Sequence, residues 1–219
     1  DYLVEELKRR VAPTQYQVNE KTPEIVKQTL SQVRAIGNQP IDYASGSNKE
    51  VKSLVDQASQ LVPTDWLTAS NSDPKKLWAS KITGRAFYQH GTEKIIKGAY
   101  TRVGKLTVDP NAYDDPRSTA LHELAHRVEF TLPYLQGVEQ EFYNRRTAGE
   151  SLEWMGRGYK KSEETRPDDF THRYMGKDYA GPLFEILSMG LEGVFYNKYN
   201  LYQEDQEYFD LILGLLGGI

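Results

Sequence analysis

The stretch His122-Glu123-Leu124-Ala125-His126 decides which fold the sequence predicts. It lies in a predicted helix that begins after Asp115, because a carboxylate cap followed by a proline is typical of a helix start. Two histidines four residues apart project from successive turns of a helix and can bind one metal ion. Glu123 would lie beside that ion.

The spacing of this stretch suits the chemistry of a zinc hydrolase. Bound Zn²⁺ lowers the pKa of its water towards neutrality, and Glu123 can take the proton as the water attacks a carbonyl. The same carboxylate can then protonate the leaving amine. The alternative is a surface helix with two solvated histidines and an ordinary ion pair between Glu123 and Arg127, four residues apart.

The amino-acid composition excludes several classes of protein and of metal site. The chain has 219 residues, 38% of them hydrophobic, which is enough for one sizeable core. It has no cysteine, so any metal site must use histidine and carboxylate ligands. The net charge of −4 is spread along the chain and favours no nucleic-acid partner.

Two features of the sequence concern the location of the protein: the length of its apolar runs and its first residues. No apolar run reaches the roughly 20 residues that a membrane-spanning helix needs, so we expect a soluble chain with no membrane partner. Because the chain begins Asp1-Tyr2 rather than with methionine, we expect a processed product or a domain of a larger protein. Localisation and oligomeric state therefore stay open.

Residue patterns predict an α+β fold. Helical patterns cover residues 5–10, 22–26 and 50–62, and a breaker-rich stretch at 38–48 suggests a helical N-terminal region over 1–48 and a catalytic domain over 49–219. Residues 85–89 and 102–108 have the composition of strands, and residues 154–174 that of a long functional loop. The expected architecture is a small twisted sheet, an active-site helix and a C-terminal helix. Helical spacing predicts that the active-site helix buries a stripe of Leu121, Leu124, Ala125 and Val128. Gly181-Pro182 predicts the start of the C-terminal helix, in which Ile186, Leu187 and Met189 should be buried.

Two segments resemble a known family. Residues 117–129 resemble the active-site helix of zincin metallopeptidases, and residues 179–192 resemble the glutamate helix of the gluzincin branch. Within that branch the sequence is most similar to the catalytic domains of the anthrax lethal factor family. It also resembles metallopeptidase domains encoded by bacteriophages, some of them associated with head morphogenesis. The resemblance covers residues 84–219 and implies a zincin-like fold, Zn²⁺ and a protein or peptide substrate.

The resemblance also implies site residues outside the motif helix. Catalytic zinc keeps three protein ligands and an open position, and Glu185 matches the family's third ligand. Tyr179 matches, with one residue's difference in spacing, the tyrosine that stabilises the oxyanion, although it could equally be a packing residue. Glu192 lies about 10 Å further along the same helical face and cannot bind the same ion. It would hydrogen-bond a ligand or be a surface charge.

Several assignments stay open at this point. Glu129 is either a hydrogen-bond partner of the site or an exposed side chain. His90 and His172 are rival ligands that lack a predicted helix beside the motif. Residues 85–88 form either an edge strand that pairs with substrate or a core strand. Gly190 and Gly193 predict close approach of another element, such as the motif helix.

These patterns together predict a zinc metalloendopeptidase with His122, His126 and Glu185 as ligands and Glu123 as general base. One alternative is a phage structural or assembly protein that keeps the zincin-like fold with weak, self-directed or absent peptidase activity. Another is an effector or toxin-type protease that acts on one host protein. The substrate is not predictable from the residues.

Overall fold

The computed structural model describes residues 22–181 and 183–218. These residues form a mixed α+β fold with small sheets, as predicted, and the helix expected over residues 5–10 lies outside them. The α-helices of the described residues are α1 (Thr22–Val33), α2 (Lys49–Ser59), α3 (Thr64–Ser70), α4 (Pro116–Thr131), α5 (Pro133–Arg146), α6 (Ile186–Tyr196), α7 (Leu201–Glu204) and α8 (Gln206–Gly217).

The larger sheet contains strands β1 (Leu77–Lys81), β2 (Phe87–Ile96) and β3 (Ala99–Val108) in the order β1-β3-β2. Strand β1 runs parallel to β3, and β2 runs antiparallel to it. The predicted strand over residues 102–108 is confirmed within β3. Residues 87–89 of the other predicted strand begin β2, whereas Arg85 and Ala86 precede it. Because β2 lies at the side of the sheet, Phe87 and Tyr88 belong to an edge strand and not to a core strand.

A smaller sheet interrupts the segment that the sequence predicted as one long loop. It consists of β4 (Glu153–Trp154), β5 (Glu164–Thr165) and β6 (Lys177–Asp178), joined in that order. A 3₁₀ helix, Arg173–Gly176, leads directly into β6. The prediction of one long loop was therefore wrong in part, because two-residue strands carry no detectable alternation in the sequence.

Helix α4 carries the motif and is confirmed. A side-chain oxygen of Asp115 accepts a hydrogen bond from the N–H of Arg117 at 2.9 Å, which caps the helix as predicted. The expected stripe of Leu121, Leu124 and Val128 is fully buried. Helix α4 contacts α2, α3, α6 and the large sheet, so the motif lies at the centre of the fold.

Helix α6 begins later than the sequence predicted. The pattern suggested a start at residue 181, whereas the helix starts at Ile186. The buried carboxylate of Glu139 accepts a hydrogen bond from the N–H of Leu187 at 3.0 Å, so a distant side chain fixes the first turn. Glu185 consequently stands immediately before the helix. Ile186 and Leu187 are buried, as is Met189, as expected.

The two glycines of α6 allow close packing, but the motif helix is not the neighbour that requires them. A Cβ atom at Gly190 would overlap the Ile212 side chain of α8. At Gly193 it would lie 2.9 Å from the Leu201 side chain of α7. The predicted close approach is thus confirmed, and the predicted partner was wrong.

The described part of the N-terminal region shares the core of the rest of the chain. Val26 and Leu30 of α1 belong to the same buried cluster as Leu121 and Leu187. The boundary at residue 48 stays a prediction. Among residues 22–181 and 183–218, no helix is both long and apolar enough to cross a membrane.

Candidate metal centre

Three side chains converge between α4 and the start of α6. The Nε2 atoms of His122 and His126 are 3.3 Å apart. The Oε2 atom of Glu185 lies 3.0 Å from the first of them and 3.3 Å from the second. These three residues form a group that could hold a metal ion.

The spacing of the three atoms fits a zinc ion. A tetrahedral site with bonds of about 2.0–2.2 Å places its ligand atoms about 3.3–3.6 Å apart. The measured separations of 3.0–3.3 Å lie within a few tenths of an ångström of that range. Two imidazoles and one carboxylate are also a donor set that catalytic zinc uses, with a fourth position left for water or substrate.

The surface-helix alternative does not fit this arrangement. The side chains of His122 and His126 are only 13% and 17% exposed. Arg127 is fully buried on another side of α4 and donates a hydrogen bond to the carbonyl oxygen of Pro74 at 3.2 Å. It is therefore not the expected partner of Glu123.

Glu192 contacts Nδ1 of His122, the ring nitrogen that faces away from the converging group. Its Oε2 lies 3.2 Å from His122 Nδ1 and accepts a hydrogen bond from Tyr199 at 2.9 Å. Its Oε1 accepts hydrogen bonds from Ser118 at 2.6 Å and from Lys198 at 2.9 Å. A carboxylate that receives Nδ1–H leaves the Nε2 lone pair directed at the metal position. Glu192 is thus a hydrogen-bond partner of His122 and not a surface charge.

Glu129 contacts His126 in the same way. Its Oε2 lies 2.8 Å from His126 Nδ1, and the side chain is buried. The alternative of an exposed glutamate was wrong. Glu129 also affects Glu139, a buried side chain of α5. Burial first, and then the charge of Glu129, raise the pKa of Glu139 well above its usual value.

The electrostatics of the group favour ion pairing. Burial alone would lower the pKa of His122, but hydrogen bonds with Glu185 and Glu192 outweigh it and raise the pKa to about 10. Burial alone would raise the pKa of Glu185, but the two imidazoles hold it well below its usual value. The pKa of Glu192 is lowered to about 2, against the effect of burial and chiefly by His122.

Glu123 lies beside this group without belonging to it. Its side chain is buried, and its Oε2 atom accepts no hydrogen bond from the described residues. Burial raises the pKa of Glu123, although the two histidines oppose the shift. A carboxylate with a raised pKa and a free acceptor atom is suited to take and return a proton.

A cleft opens beside the three converging side chains. It consists of a larger cavity of about 530 Å³ and a smaller one of about 230 Å³. Both cavities are lined by Arg85, Ala86, His122, Glu123 and Tyr174. The cleft therefore extends past the motif helix beside the beginning of edge strand β2.

Tyr179 contacts the converging group, whereas the two rival histidines, His90 and His172, do not belong to it. The Tyr179 hydroxyl donates a hydrogen bond to Glu185 Oε1. Its role in stabilising an oxyanion stays a prediction. His90 stacks on Phe130 with ring centroids 5.0 Å apart, whereas His172 lines the larger cavity, and neither belongs to the converging group.

Sequence reasoning missed Tyr174, Lys177 and Glu139. Tyr174 lines both cavities, and Lys177 Nζ donates a hydrogen bond to its hydroxyl at 3.3 Å. Glu139 fixes the start of α6 from a different helix. No spacing rule links these positions to the motif, because each reaches the centre through the path of the chain.

Comparison with known proteins yields no relatives. No protein-family model matches the chain, and no curated protein or solved structure matches it significantly.

Proposed function

We propose that this protein is a zinc-dependent peptidase in which His122, His126 and Glu185 bind the metal and Glu123 is the general base. The observation that carries the proposal is the convergence of the three donor atoms to within 3.3 Å of one another. Support comes from the free acceptor atom of Glu123 next to them.

Each residue has a part in the proposed reaction. Zinc, when bound, supplies a Lewis acid that lowers the pKa of water and polarises a carbonyl. Glu123 accepts the proton of the attacking water and returns it to the leaving amine. Glu192 and Glu129 keep the two imidazoles oriented with Nε2 towards the site.

The shape of the cleft favours an extended peptide as substrate. Its wall includes Phe87, the first residue of β2, and Ala86 just before it, and β2 lies at the edge of the large sheet. The outer side of an edge strand presents backbone N–H and C=O groups that can pair with an added strand. A peptide bound there would lie over Glu123 and the metal ligands.

Peptide cleavage with matched variants tests the proposal. Zinc-loaded protein should cleave members of a peptide library, a chelator should abolish cleavage, and added zinc should restore it. Glu123→Gln should keep the zinc and lose cleavage, whereas Glu141→Gln, at an exposed position of α5, should retain both. Zinc-loaded wild-type protein that cleaves no peptide would contradict the proposal and favour the assembly-protein alternative.

A further inference from the structure

We propose that Arg166 is a specificity-determining residue that binds a carboxylate group of the substrate in a third cavity, which adjoins the cleft. The third cavity has a volume of about 370 Å³, and its lining includes Gln140, Asn144, Arg166 and Tyr179. This inference rests on the proposed function and names a class of substrate. The substrate is a peptide with an acidic side chain, or a free terminal carboxylate, at a fixed distance from the cleaved bond.

The third cavity is the next space along the cleft. Lys177, Tyr179 and Leu183 line both the third cavity and the smaller cavity of the cleft. The smaller cavity in turn has Glu123 and Glu185 in its wall. A peptide that lies over Glu123 and continues past Glu185 would therefore reach the third cavity with a side chain or with its end.

The guanidinium group of Arg166 has donors to spare. No described residue accepts a hydrogen bond from it, and its Nη1 atom is buried without a partner. Its Nη2 atom lies 3.6 Å from Oδ2 of Asp178, which is longer than a hydrogen bond. The other oxygen of that carboxylate, Oδ1, accepts a hydrogen bond from the N–H of Ala180 at 2.6 Å. Because a guanidinium has five N–H donors, Arg166 can bind a second carboxylate beside Asp178.

The ion pairs around the third cavity leave an excess of positive charge. Glu163 is paired with both Arg85, at 2.7 Å, and Lys177, at 3.2 Å. Among the residues that the structure describes, Asp178 is the one carboxylate within 4.0 Å of Arg166. Three cations thus share two carboxylates, which favours the binding of a further negative group.

Two amide side chains add neutral donors on another wall of the cavity. Gln140 and Asn144 are four residues apart on α5, so they project from the same face of that helix. Both are exposed, and neither side chain is hydrogen-bonded to another described residue. An amide NH₂ group can donate to a carboxylate, so these two residues can assist Arg166.

The backbone of Arg166 is fixed before any substrate binds. Its N–H donates a hydrogen bond to the carbonyl oxygen of Gly176 at 2.9 Å. A Cβ atom at position 176 would overlap the carbonyl oxygen of Arg166, so this close approach requires glycine. A cation held in this way loses less freedom when it binds a carboxylate.

Paired octapeptides that differ only in charge test the inference. Each pair carries glutamate or glutamine at one position of an otherwise uncharged sequence with an amidated end, and mass spectrometry locates the cleaved bond. At one position counted from that bond, zinc-loaded wild-type protein should show a kcat/KM about 10-fold higher for glutamate. This is the low end for a hydrogen bond between charged groups, because the side chain of Arg166 is 28% exposed.

Substitutions at the third cavity should change this preference in opposite directions. Arg166→Gln should remove it, and Arg166→Lys should keep part of it. Asp178→Asn removes the competing charge, keeps an acceptor for Ala180 and should increase the preference. Arg157→Gln, at an exposed position of the turn between β4 and β5, is the matched control and should leave the preference as in the wild type. Thermal melting of each variant checks that the fold is intact.

Two further measurements identify the source of the carboxylate and remove the dependence on turnover. If the terminal carboxylate is bound, peptides of one length with a free C-terminus should be cleaved about 10-fold more efficiently than their amidated counterparts. Fluorescence anisotropy of labelled peptides with zinc-loaded Glu123→Gln protein should show the same preference in binding. Combining Arg166→Gln with Glu123→Gln should abolish it.

The outcomes distinguish this inference from the function on which it rests. If wild-type protein cleaves peptides without preferring glutamate to glutamine or a free end to an amidated one, only the role of Arg166 is overturned. A preference that Arg166→Gln retains would also overturn it. If zinc-loaded wild-type protein cleaves none of the peptides and Glu123→Gln binds none, the proposed function fails and this inference fails with it.

Discussion

Replacement of Glu192 by glutamine should weaken zinc binding although Glu192 is not a proposed ligand. Glutamine keeps the size of the side chain and replaces one carboxylate oxygen with an NH₂ group. The NH₂ group will avoid the ammonium of Lys198, which lies 2.9 Å from Oε1, and will take the place of Oε2. It will then face His122 Nδ1, which is 3.2 Å from Oε2 in the native protein.

The consequence for His122 is a change of tautomer. An NH₂ group donates, so Nδ1 must become the acceptor, and the proton of the neutral imidazole moves to Nε2. Nε2 is the atom directed at the metal position, and a protonated nitrogen cannot bind zinc. Loss of such partners usually lowers metal affinity by 10–100-fold, which corresponds to about 1.4–2.7 kcal/mol.

The fold should be weakened as well. The hydroxyl of Tyr199 donates to Oε2 at 2.9 Å in a buried site and would lose its acceptor. A buried donor left without a partner costs about 1–3 kcal/mol. Metal-free Glu192→Gln should therefore unfold at a lower denaturant concentration than the wild type, whereas the exposed control Glu141→Gln should not.

Competition with a chromogenic chelator at pH 7 measures the zinc affinity of both variants. The reasoning predicts a loss for Glu192→Gln that is clearly smaller than the loss for Glu185→Gln, which removes a proposed ligand charge. Zinc affinity of Glu192→Gln within about threefold of the wild type would refute the tautomer argument. Complete loss of zinc would instead indicate that Glu192 is itself a ligand.

Four further predictions follow from the same site. Glu123→Gln should keep zinc and lower turnover by about 10²–10⁴-fold in a peptide cleavage assay, and loss of zinc would contradict its role as base. Glu185→Ala should abolish tight zinc binding in a chelator titration. Metal-free protein should lose stability as pH rises from 6.5 towards 10, because the raised pKa of His122 stabilises the fold fully only below its ordinary value. It should also lose stability as pH falls from 4.5 towards 2, because the pKa of Glu192 is lowered, and urea midpoints across pH check both limits. Zinc binding at pH 7 should release protons, which calorimetry in buffers of different ionisation enthalpy detects.

Local spacing determined the part of the site that the sequence could predict. Asp115 and Pro116 fix the start of α4, and the helical period places His122 and His126 on one face whatever surrounds them. The same period predicted the buried stripe of Leu121 and its neighbours. These features depend on residues within a few turns of one another, so no knowledge of the chain path is needed.

Tertiary structure decided the rest of the centre. The family resemblance pointed to Glu185, but its approach to the histidines depends on the start of α6, where Glu139 accepts a hydrogen bond from Leu187. No spacing in the sequence linked Glu139 to this position. The same packing turned Glu192 and Glu129 towards the outward nitrogens of the histidines and brought Tyr174 into the cleft. Contacts between residues far apart in sequence depend on how helices and loops pack together. Local spacing along the chain does not reveal that packing, so these contacts could not be predicted from the sequence.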